Sequence, residues 1–308
     1  MSDLPINDLA SESLQTRRGA TEAIADSVDR GTPLDAAAEA VVARFADPDP
    51  GIRQLATYIL QTDAERPSGG RTVAALRAAL TSDVADERRG AAFVYAGCLA
   101  RQEQGHAVAA LIDNPDRMVR AGVLKALADG AVPRAQTDAV VTALVRALAD
   151  NDVATRKEVI WAIYLLGSEG AAIDAAVPQL EEAIGIAATQ ANAAIALSLA
   201  WHNANESDRA DALYASASGN VQMGAAWGAA DVYLKRDDLA ALKRMFAHDN
   251  DNVRRGLGAF LHHARGQKRD LSLAGQAFSE LERDHATDGL LHARLYAVAD
   301  LAKRGPGG

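Results

Sequence analysis

Apolar residues recur at helical spacing along this chain, each time just after a short polar turn. After the turn at 47–51, Ile52, Ala56 and Leu60 fall on one side of a helix, because residues three or four positions apart share a helix face. Two later turns are followed by the same spacing. The members of those stripes are Val119, Val123 and Leu127, and then Val253, Leu257 and Leu261. The pattern predicts amphipathic helices whose apolar stripes form the core.

The turn that precedes each stripe is itself repeated. It holds Asp or Asn, then a β-branched or similar residue, then Arg, with a small residue three positions on, as in the stretch from Asp47 to Ala56. Aligning the copies gives eight anchor positions, which lie 31 to 36 residues apart: Arg17, Arg53, Arg89, Arg120, Arg156, Gln190, Gln222 and Arg254. So constant a period is typical of repeat proteins, in which each unit contacts its neighbours.

Each repeat is predicted to contain two helices. Clear examples of the first helix are Leu34–Phe45, Thr72–Leu80, Gln136–Ala149, Ile173–Ile184 and Leu239–Phe246. The acidic turn then caps the second helix, whose first N–H groups need an acceptor. We therefore predict an all-α fold, a right-handed α-solenoid of about eight helix pairs. It forms a single domain over 1–308, with an N-terminal lead at 1–13, repeats at 14–302 and a flexible tail at 303–308.

The motif Asp-x-x-x-x-Val-Arg-x-x-Ala resembles HEAT repeats, particularly the short variety named after phycobilisome lyases, and the resemblance covers roughly residues 14–302. It implies that the arginine joins adjacent turns and that the second helices line a concave surface where ligands bind. The tetratricopeptide repeat has a similar period, but its Trp, Leu-Gly, Tyr and Pro pattern is missing here. Because the units around Gln190 and Gln222 lack the arginine, we expect them to open first in hydrogen exchange.

Composition narrows the class of protein. Of the 308 residues, 49% are hydrophobic and only 5% aromatic, and the net charge is −9. A nucleic-acid-binding face is normally basic, so this balance argues against nucleic acid as the partner. Cys98 is the only cysteine and lies among small residues, so we expect it to be packed rather than reactive. The chain shows neither an apolar signal segment nor a membrane span, and we expect a cytoplasmic protein with no membrane partner.

The face opposite the core stripe carries the candidate binding residues. Counted from the anchor, positions +1, +5, +8 and +12 point about 180–240° away from the stripe. Trp161 and Trp227 both occupy +5, in different repeats. The candidate partner-binding set on this face is Lys157, Trp161, Tyr164, Ser198, His202, Met223 and Trp227. Exposed aromatic residues beside Met and Lys suit a bound peptide or helix. Alternatively, the two indoles pack between neighbouring helices.

Motifs for catalysis and metal binding are missing. The sequence has no G-x-S-x-G, P-loop, G-x-G-x-x-G or H-E-x-x-H. The run from Asp249 to Asn252 lacks the Gly and the terminal Glu of a calcium loop, so a helix cap explains it better. His262 and His263 are adjacent and point about 100° apart on a helix. We expect no catalytic residue, no metal site and no cofactor.

We favour a non-enzymatic protein-interaction scaffold that binds a peptide, helix or protein partner in the concave groove. One alternative is a HEAT-like alkyl-base DNA glycosylase, a class that uses concave tryptophans with an Asp and basic residues. Trp227 and Asp231 lie one turn apart, and Lys125, Lys157 and Arg255 add positive charge. A second alternative is a chromophore-handling protein like the bilin lyases, for which no transferable motif is present. A third is a subunit whose outer helices pack into an oligomer, and the oligomeric state stays open.

Overall fold

In the computed structural model, residues 4–305 are described; they form helices and connecting turns, without a strand. The chain divides into two compact units, Met1–Ala147 and Leu148–Gly308. The first unit contains α1 (Leu14–Asp29), α2 (Ala38–Val42), α3 (Pro50–Ala64), α4 (Gly70–Ala79), α5 (Ala85–Arg101), α6 (Gly105–Ile112), α7 (Arg117–Ala128) and α8 (Thr137–Ala147). The second contains α9 (Val153–Ser168), α10 (Val177–Ile184), α11 (Gln190–Asn203), α12 (Ser207–Ala212), α13 (Gly219–Lys235), α14 (Leu239–Ala247), α15 (Asp251–Gly266), α16 (Ser272–Asp284) and α17 (Gly289–Arg304).

Helices pack on the next helix but one along the chain. In the first unit α1 packs on α3, α3 on α5 and α5 on α7, while α2 packs on α4 and α6 on α8. In the second unit α9, α11, α13, α15 and α17 pack in that order, and α14 packs on α16. The predicted all-α fold is confirmed, and the handedness and the single continuous solenoid stay predictions. None of the helices in the described part is long and apolar enough to cross a membrane.

The predicted first helices correspond to α2 with its flanking 3₁₀ turns, α4, α8, α10 (preceded by a 3₁₀ turn) and α14. At the carboxyl end, α17 extends to Arg304, so the predicted flexible tail begins inside a helix. The described residues do not include 306–308 of the predicted tail or 1–3 of the predicted N-terminal lead.

The predicted core stripes are buried. All nine stripe residues in α3, α7 and α15 are at most 5% exposed, and Leu60, Leu127 and Leu257 are 0% exposed. Cys98 is also buried, as predicted, and is a free thiol. Burial raises the pKa of this thiol, which disfavours the reactive thiolate form.

The anchor side chain makes the same hydrogen bond in several repeats. It lies four residues after the N-cap of its helix and donates to the backbone carbonyl six residues earlier. The residues that do so are Arg17, Arg53, Arg88, Arg120, Gln222 and Arg254. The distance is 2.7 Å for Arg53 and 2.6 Å for Gln222. The bond closes the polar turn onto the start of the helix, which explains why the motif recurs.

Two predicted anchors need correction. In the third repeat Arg88, not Arg89, makes the bond, with 2.6 Å to the carbonyl of Ser82. Arg89 instead lines a cavity of about 210 Å³. The sequence has two consecutive arginines here. Because the N-cap of α5 is Val84, Arg88 is the one that lies four residues after it. Gln190 is the first residue of α11, whereas the other anchors lie four residues after the N-cap, so its side chain does not make the anchor bond. Its Oε1 instead accepts a hydrogen bond from the hydroxyl of Ser218 at 3.0 Å.

Anchors also join the start of one helix to the turn before the next anchor-bearing helix. Arg17 binds both carboxylate oxygens of Asp47, and its Nε lies 2.8 Å from Oδ2. The Nε of Arg88 lies 3.0 Å from Oδ2 of Asp116, and in the second unit the Asn252 amide donates to Gln222 at 2.8 Å. The helices that carry the anchors are therefore held to one another by polar contacts at their starts as well as by their apolar stripes.

Asp and Asn side chains cap several of the second helices. Asp49 accepts from the amide of Ile52 at 3.0 Å, with Pro50 in the first helical turn. In the run from Asp249 to Asn252, Asn250 caps α15 and accepts from the amide of Asn252 at 2.9 Å. The predicted capping role of this run is confirmed.

Candidate functional site

Helix α11 is the base of the candidate site in the second unit. Residues 193–202 of α11 are all buried, because α9, α10, α12 and α13 all pack around it. Helix α13 lies especially close, since a Cβ atom at Gly224 or Gly228 would clash with the backbone carbonyls of Ala191 and Ile195. Because α9 and α13 both pack against α11, long side chains of α9 and α13 contact each other.

An aromatic cluster forms where α9, α13 and α15 meet. The ring of Trp161 lies 4.9 Å from Tyr164, 5.9 Å from Trp227 and 5.6 Å from His263, measured between ring centroids. Trp227 lies 5.2 Å from His263 and 6.0 Å from Phe260. Several of these contacts are edge-to-face, an arrangement that aromatic pairs prefer. Trp161, Trp227 and His263 are only partly buried, so the cluster presents ring surface to solvent.

A buried polar network supports this cluster. The indole N–H of Trp227 donates to the hydroxyl of Tyr164 at 3.2 Å, and that hydroxyl donates to Oδ2 of Asp231 at 3.1 Å. Asp231 is 0% exposed and also accepts from the hydroxyl of Ser168 at 2.6 Å. Its other oxygen lies 2.8 Å from Nη1 of Arg269. A buried carboxylate needs such partners, and together they fix the orientation of the Trp227 ring.

Arg269 and Lys235 supply the positive charge of the network. The guanidinium of Arg269 also lies over the ring of Phe260, 5.4 Å from its centroid. The Lys235 ammonium lies 3.5 Å from Oδ1 of Asp231 and donates to the backbone and the hydroxyl of Ser168. Burial lowers the pKa of Lys235, against the opposing effect of the Asp231 charge.

The titratable rings of the cluster are held in their neutral forms. Burial and the charge of Asp231 raise the pKa of Tyr164, so its phenol keeps the proton that it donates. Burial, and then the charge of Arg269, lower the pKa of His263. Within 4–305, no group of three or more His, Cys, Asp or Glu side chains is placed to hold a metal ion. The cluster is suited to contact apolar and aromatic groups of a partner.

The structure brings together only part of the predicted set. Trp161, Tyr164 and Trp227 join the aromatic cluster. Ser198 instead donates to the backbone carbonyl of Ala225 at 2.8 Å, and His202 contacts Ser207 at 3.1 Å. Neither Ser198 nor His202 is among the ring contacts of the cluster.

The predicted exposure of three residues is wrong. Tyr164 is 2% exposed, and Ser198 and His202 are 0% exposed. Helix α13 covers Ser198. Tyr164 is buried between α9 and α13. The ring of His202 packs against the ring of Tyr233, with 5.1 Å between the ring centroids. Lys157 is exposed and Met223 partly exposed, as the prediction requires. A role of any of the seven in partner binding stays a prediction.

Sequence reasoning did not place His263, Phe260 or Arg269 in the site. The sequence did contain a signal for His263. This residue lies nine positions after the anchor Arg254, and Asp231 lies nine positions after the anchor Gln222. Position +9 lies about 280° from the core stripe, only about 40° beyond position +5. The predicted binding face comprised positions +1, +5, +8 and +12 and therefore did not include His263 or Asp231. Arg269 lies in a turn after α15, where helical periodicity carries no information.

Comparison with known proteins gives little. No protein-family model matches the chain, and no curated protein matches it. Among solved structures, the chain is similar to an engineered protein, with 19% sequence identity and a TM-score of 0.36. That similarity covers 74% of this chain and 95% of the engineered one. Similarity at this level supports no inference about fold or function.

Proposed function

We propose that this protein is a non-enzymatic scaffold that binds a peptide, a helix or a protein domain on the aromatic cluster of its second unit. The observation that carries the proposal is the set of partly exposed rings of Trp161, Trp227 and His263, contributed by three different helices. Tryptophans at the centre of an interface commonly dominate its binding energy. Lys157 and Met223, on α9 and α13, extend the proposed surface.

The buried network beneath the rings favours recognition. An anchor that is already held in one orientation loses less conformational entropy when a partner binds. Trp227 is held through its indole N–H by Tyr164, which in turn is held by Asp231. The rings therefore present a preformed surface, and a partner is expected to bind without rearranging α9 or α13.

The proposed architecture of each unit is a stack of HEAT-like helix pairs. It rests on the helix packing order and on the anchor side chain that closes the polar turn in both units. The extension of this architecture to one right-handed solenoid of about eight pairs is part of the same proposal. A cytoplasmic location, a protein or peptide as partner rather than nucleic acid, and the lack of a membrane role also remain proposals.

The glycosylase alternative is not favoured by the geometry of its candidate carboxylate. Asp231 is 0% exposed, its Oδ2 accepts from Tyr164 and Ser168, and its Oδ1 forms an ion pair with Arg269, so the carboxylate is not open to an attacking water and a DNA base. A direct test incubates the protein with alkylated DNA and measures base release, with Asp231→Asn as the control variant. Release that depends on Asp231 would replace the scaffold proposal.

A peptide selection tests the scaffold proposal. The purified chain is used to select from a displayed library of random peptides, and affinities of the selected peptides are measured by tryptophan fluorescence. A Trp201→Phe variant serves as reporter, because its remaining tryptophans are Trp161 and Trp227. Trp161→Ala is expected to weaken binding by about tenfold or more. Tyr296→Ala, an aromatic residue that is 55% exposed outside the cluster, is the matched control.

Circular dichroism of each variant separates binding from folding. The proposal requires that Trp161→Ala keep its helical signal while losing affinity. Selected peptides that bind equally well to the Trp161→Ala and Tyr296→Ala variants would contradict it. Loss of helical structure in the Trp161→Ala variant would instead support the packing role for the indoles.

A further inference from the structure

The last four helices of the second unit line an open apolar groove of about 430 Å³. Its floor includes Phe246 from α14, Leu261 from α15 and Phe278 from α16, and α17 contributes Ala302. Phe246 and Leu261 are buried in the core, whereas Phe278 is only partly buried, so the floor is continuous with the apolar interior. Cavities of roughly 300–1,000 Å³ are typical of small-molecule sites.

Three exposed cations stand on the rim of this groove: Arg265, Lys268 and Lys303. No carboxylate of residues 4–305 forms an ion pair with any of them, and no acidic residue lines the groove. Acidic side chains of the neighbouring segments have partners elsewhere: Asp270 accepts from the Ser272 amide, Glu280 pairs with Lys243, and Glu282 accepts from Tyr296. In a chain of net charge −9, three unpaired cations around one apolar groove mark a local site for an anion.

The rim residue Lys268 lies in a type of turn that also follows other helices of the chain. Lys268 has a φ of 58°, in the left-handed region, just after the C-cap of α15. Glycine holds the corresponding position after α1, α7 and α9, whereas Glu103, Asn205 and Asp237 hold it after α5, α11 and α13. This left-handed position accepts several residue types, and Lys268 bears on the groove only through its charge.

We infer that this groove binds a single-chain amphiphile with an anionic head, of the class of a fatty carboxylate. The apolar floor would take the alkyl chain out of water, and the rim cations would pair with the carboxylate. The volume of the groove lies within the range of small-molecule sites, which favours a small amphiphile as the occupant. The groove shares Arg269 with the network beneath the aromatic cluster, but the inference does not depend on the proposed function.

Calorimetric titration of the full chain tests the inference, with dodecanoate below its micellar concentration as the probe. We expect one dodecanoate per chain, and much weaker binding of dodecanol and of dodecyltrimethylammonium, which lack the negative charge. Lys303→Gln is expected to lower the affinity for dodecanoate by about tenfold. The matched control is Arg304→Gln, because Arg304 is adjacent, does not line the groove and already pairs with Asp300.

Filling the groove gives a second test that does not risk the fold. A Cβ atom at Gly275 meets no atom within 4 Å, and Gly275 lines the groove, so Gly275→Leu would place its side chain where the alkyl chain lies. Gly266→Leu is the matched control, since a Cβ there also meets nothing and Gly266 does not line the groove. Leucine is a better helix former than glycine, so both variants should fold. Only Gly275→Leu is expected to abolish dodecanoate binding.

Lys268→Gly separates ligand binding from stability. It removes one rim charge and also relieves the left-handed backbone, so the melting temperature should rise while affinity for dodecanoate falls. Equal binding of dodecanol and dodecanoate would overturn the inference, as would full dodecanoate affinity in the Gly275→Leu variant. An acidic peptide that binds in the groove while dodecanoate does not would also overturn it.

Discussion

Replacing Asp231 by Asn should destabilise the second unit substantially, although the two side chains have nearly the same shape. Asp231 is 0% exposed and lies 2.8 Å from Nη1 of Arg269. Breaking a buried ion pair commonly costs about 3–5 kcal/mol. The side chain of Arg269 is 24% exposed and can be partly hydrated, and one Asn oxygen can still accept from Tyr164 or Ser168. We therefore expect a loss of about 2–3 kcal/mol in the free energy of unfolding.

Urea denaturation followed by tryptophan fluorescence measures this loss in the relevant unit. All three tryptophans, Trp161, Trp201 and Trp227, belong to the second unit, so their emission reports on its unfolding. The matched control is Asp300→Asn, which removes an exposed carboxylate 2.9 Å from Arg304 and should leave the midpoint nearly unchanged. Equal midpoints for Asp231→Asn and Asp300→Asn would refute the idea that the buried network stabilises this unit.

Three further perturbations test the packing and the protonation states. Leu257 is 0% exposed, and Leu257→Ala should cost about 2–5 kcal/mol in urea denaturation; an unchanged midpoint would mean the core stripe is misassigned. Gly224→Ala should lower the melting temperature because its methyl group meets a backbone carbonyl, whereas Gly19→Ala, with open space around it, should raise stability by about 1 kcal/mol. Burial lowers the pKa of His202 and His263 below 6.5, so the unfolded chain binds more protons between the folded pKa and 6.5. Stability of the second unit should therefore fall as pH decreases through that window, and a flat profile of urea midpoints against pH would contradict these burials.

Features that depend on a single helix and its turn were predictable from the sequence. The burial of Ile52, Val119 and Val253 follows from helical periodicity, which needs no knowledge of the neighbouring helix. The anchor bond is equally local, since it joins a side chain to a carbonyl six residues earlier. It also survives the loss of arginine at Gln222, which donates to Ser216 at 2.6 Å. The expected early opening of that repeat thus loses its main physical reason, although hydrogen exchange still has to decide it.

Features that depend on how several helices converge were not predictable. Helical periodicity places Tyr164 on the side of α9 away from its core stripe, but in the structure this side is buried at Tyr164 rather than exposed to solvent. Because α11 presents small residues and α13 carries Gly224 and Gly228, α13 approaches closely enough for Asp231 to reach the Tyr164 hydroxyl, 67 residues away in sequence. Exposure at such a position is decided by side-chain size on the intervening helix. In a stack built from small residues, the face opposite one stripe can become the core of a second, polar layer, and the partly exposed rings above it are what remain available to a partner.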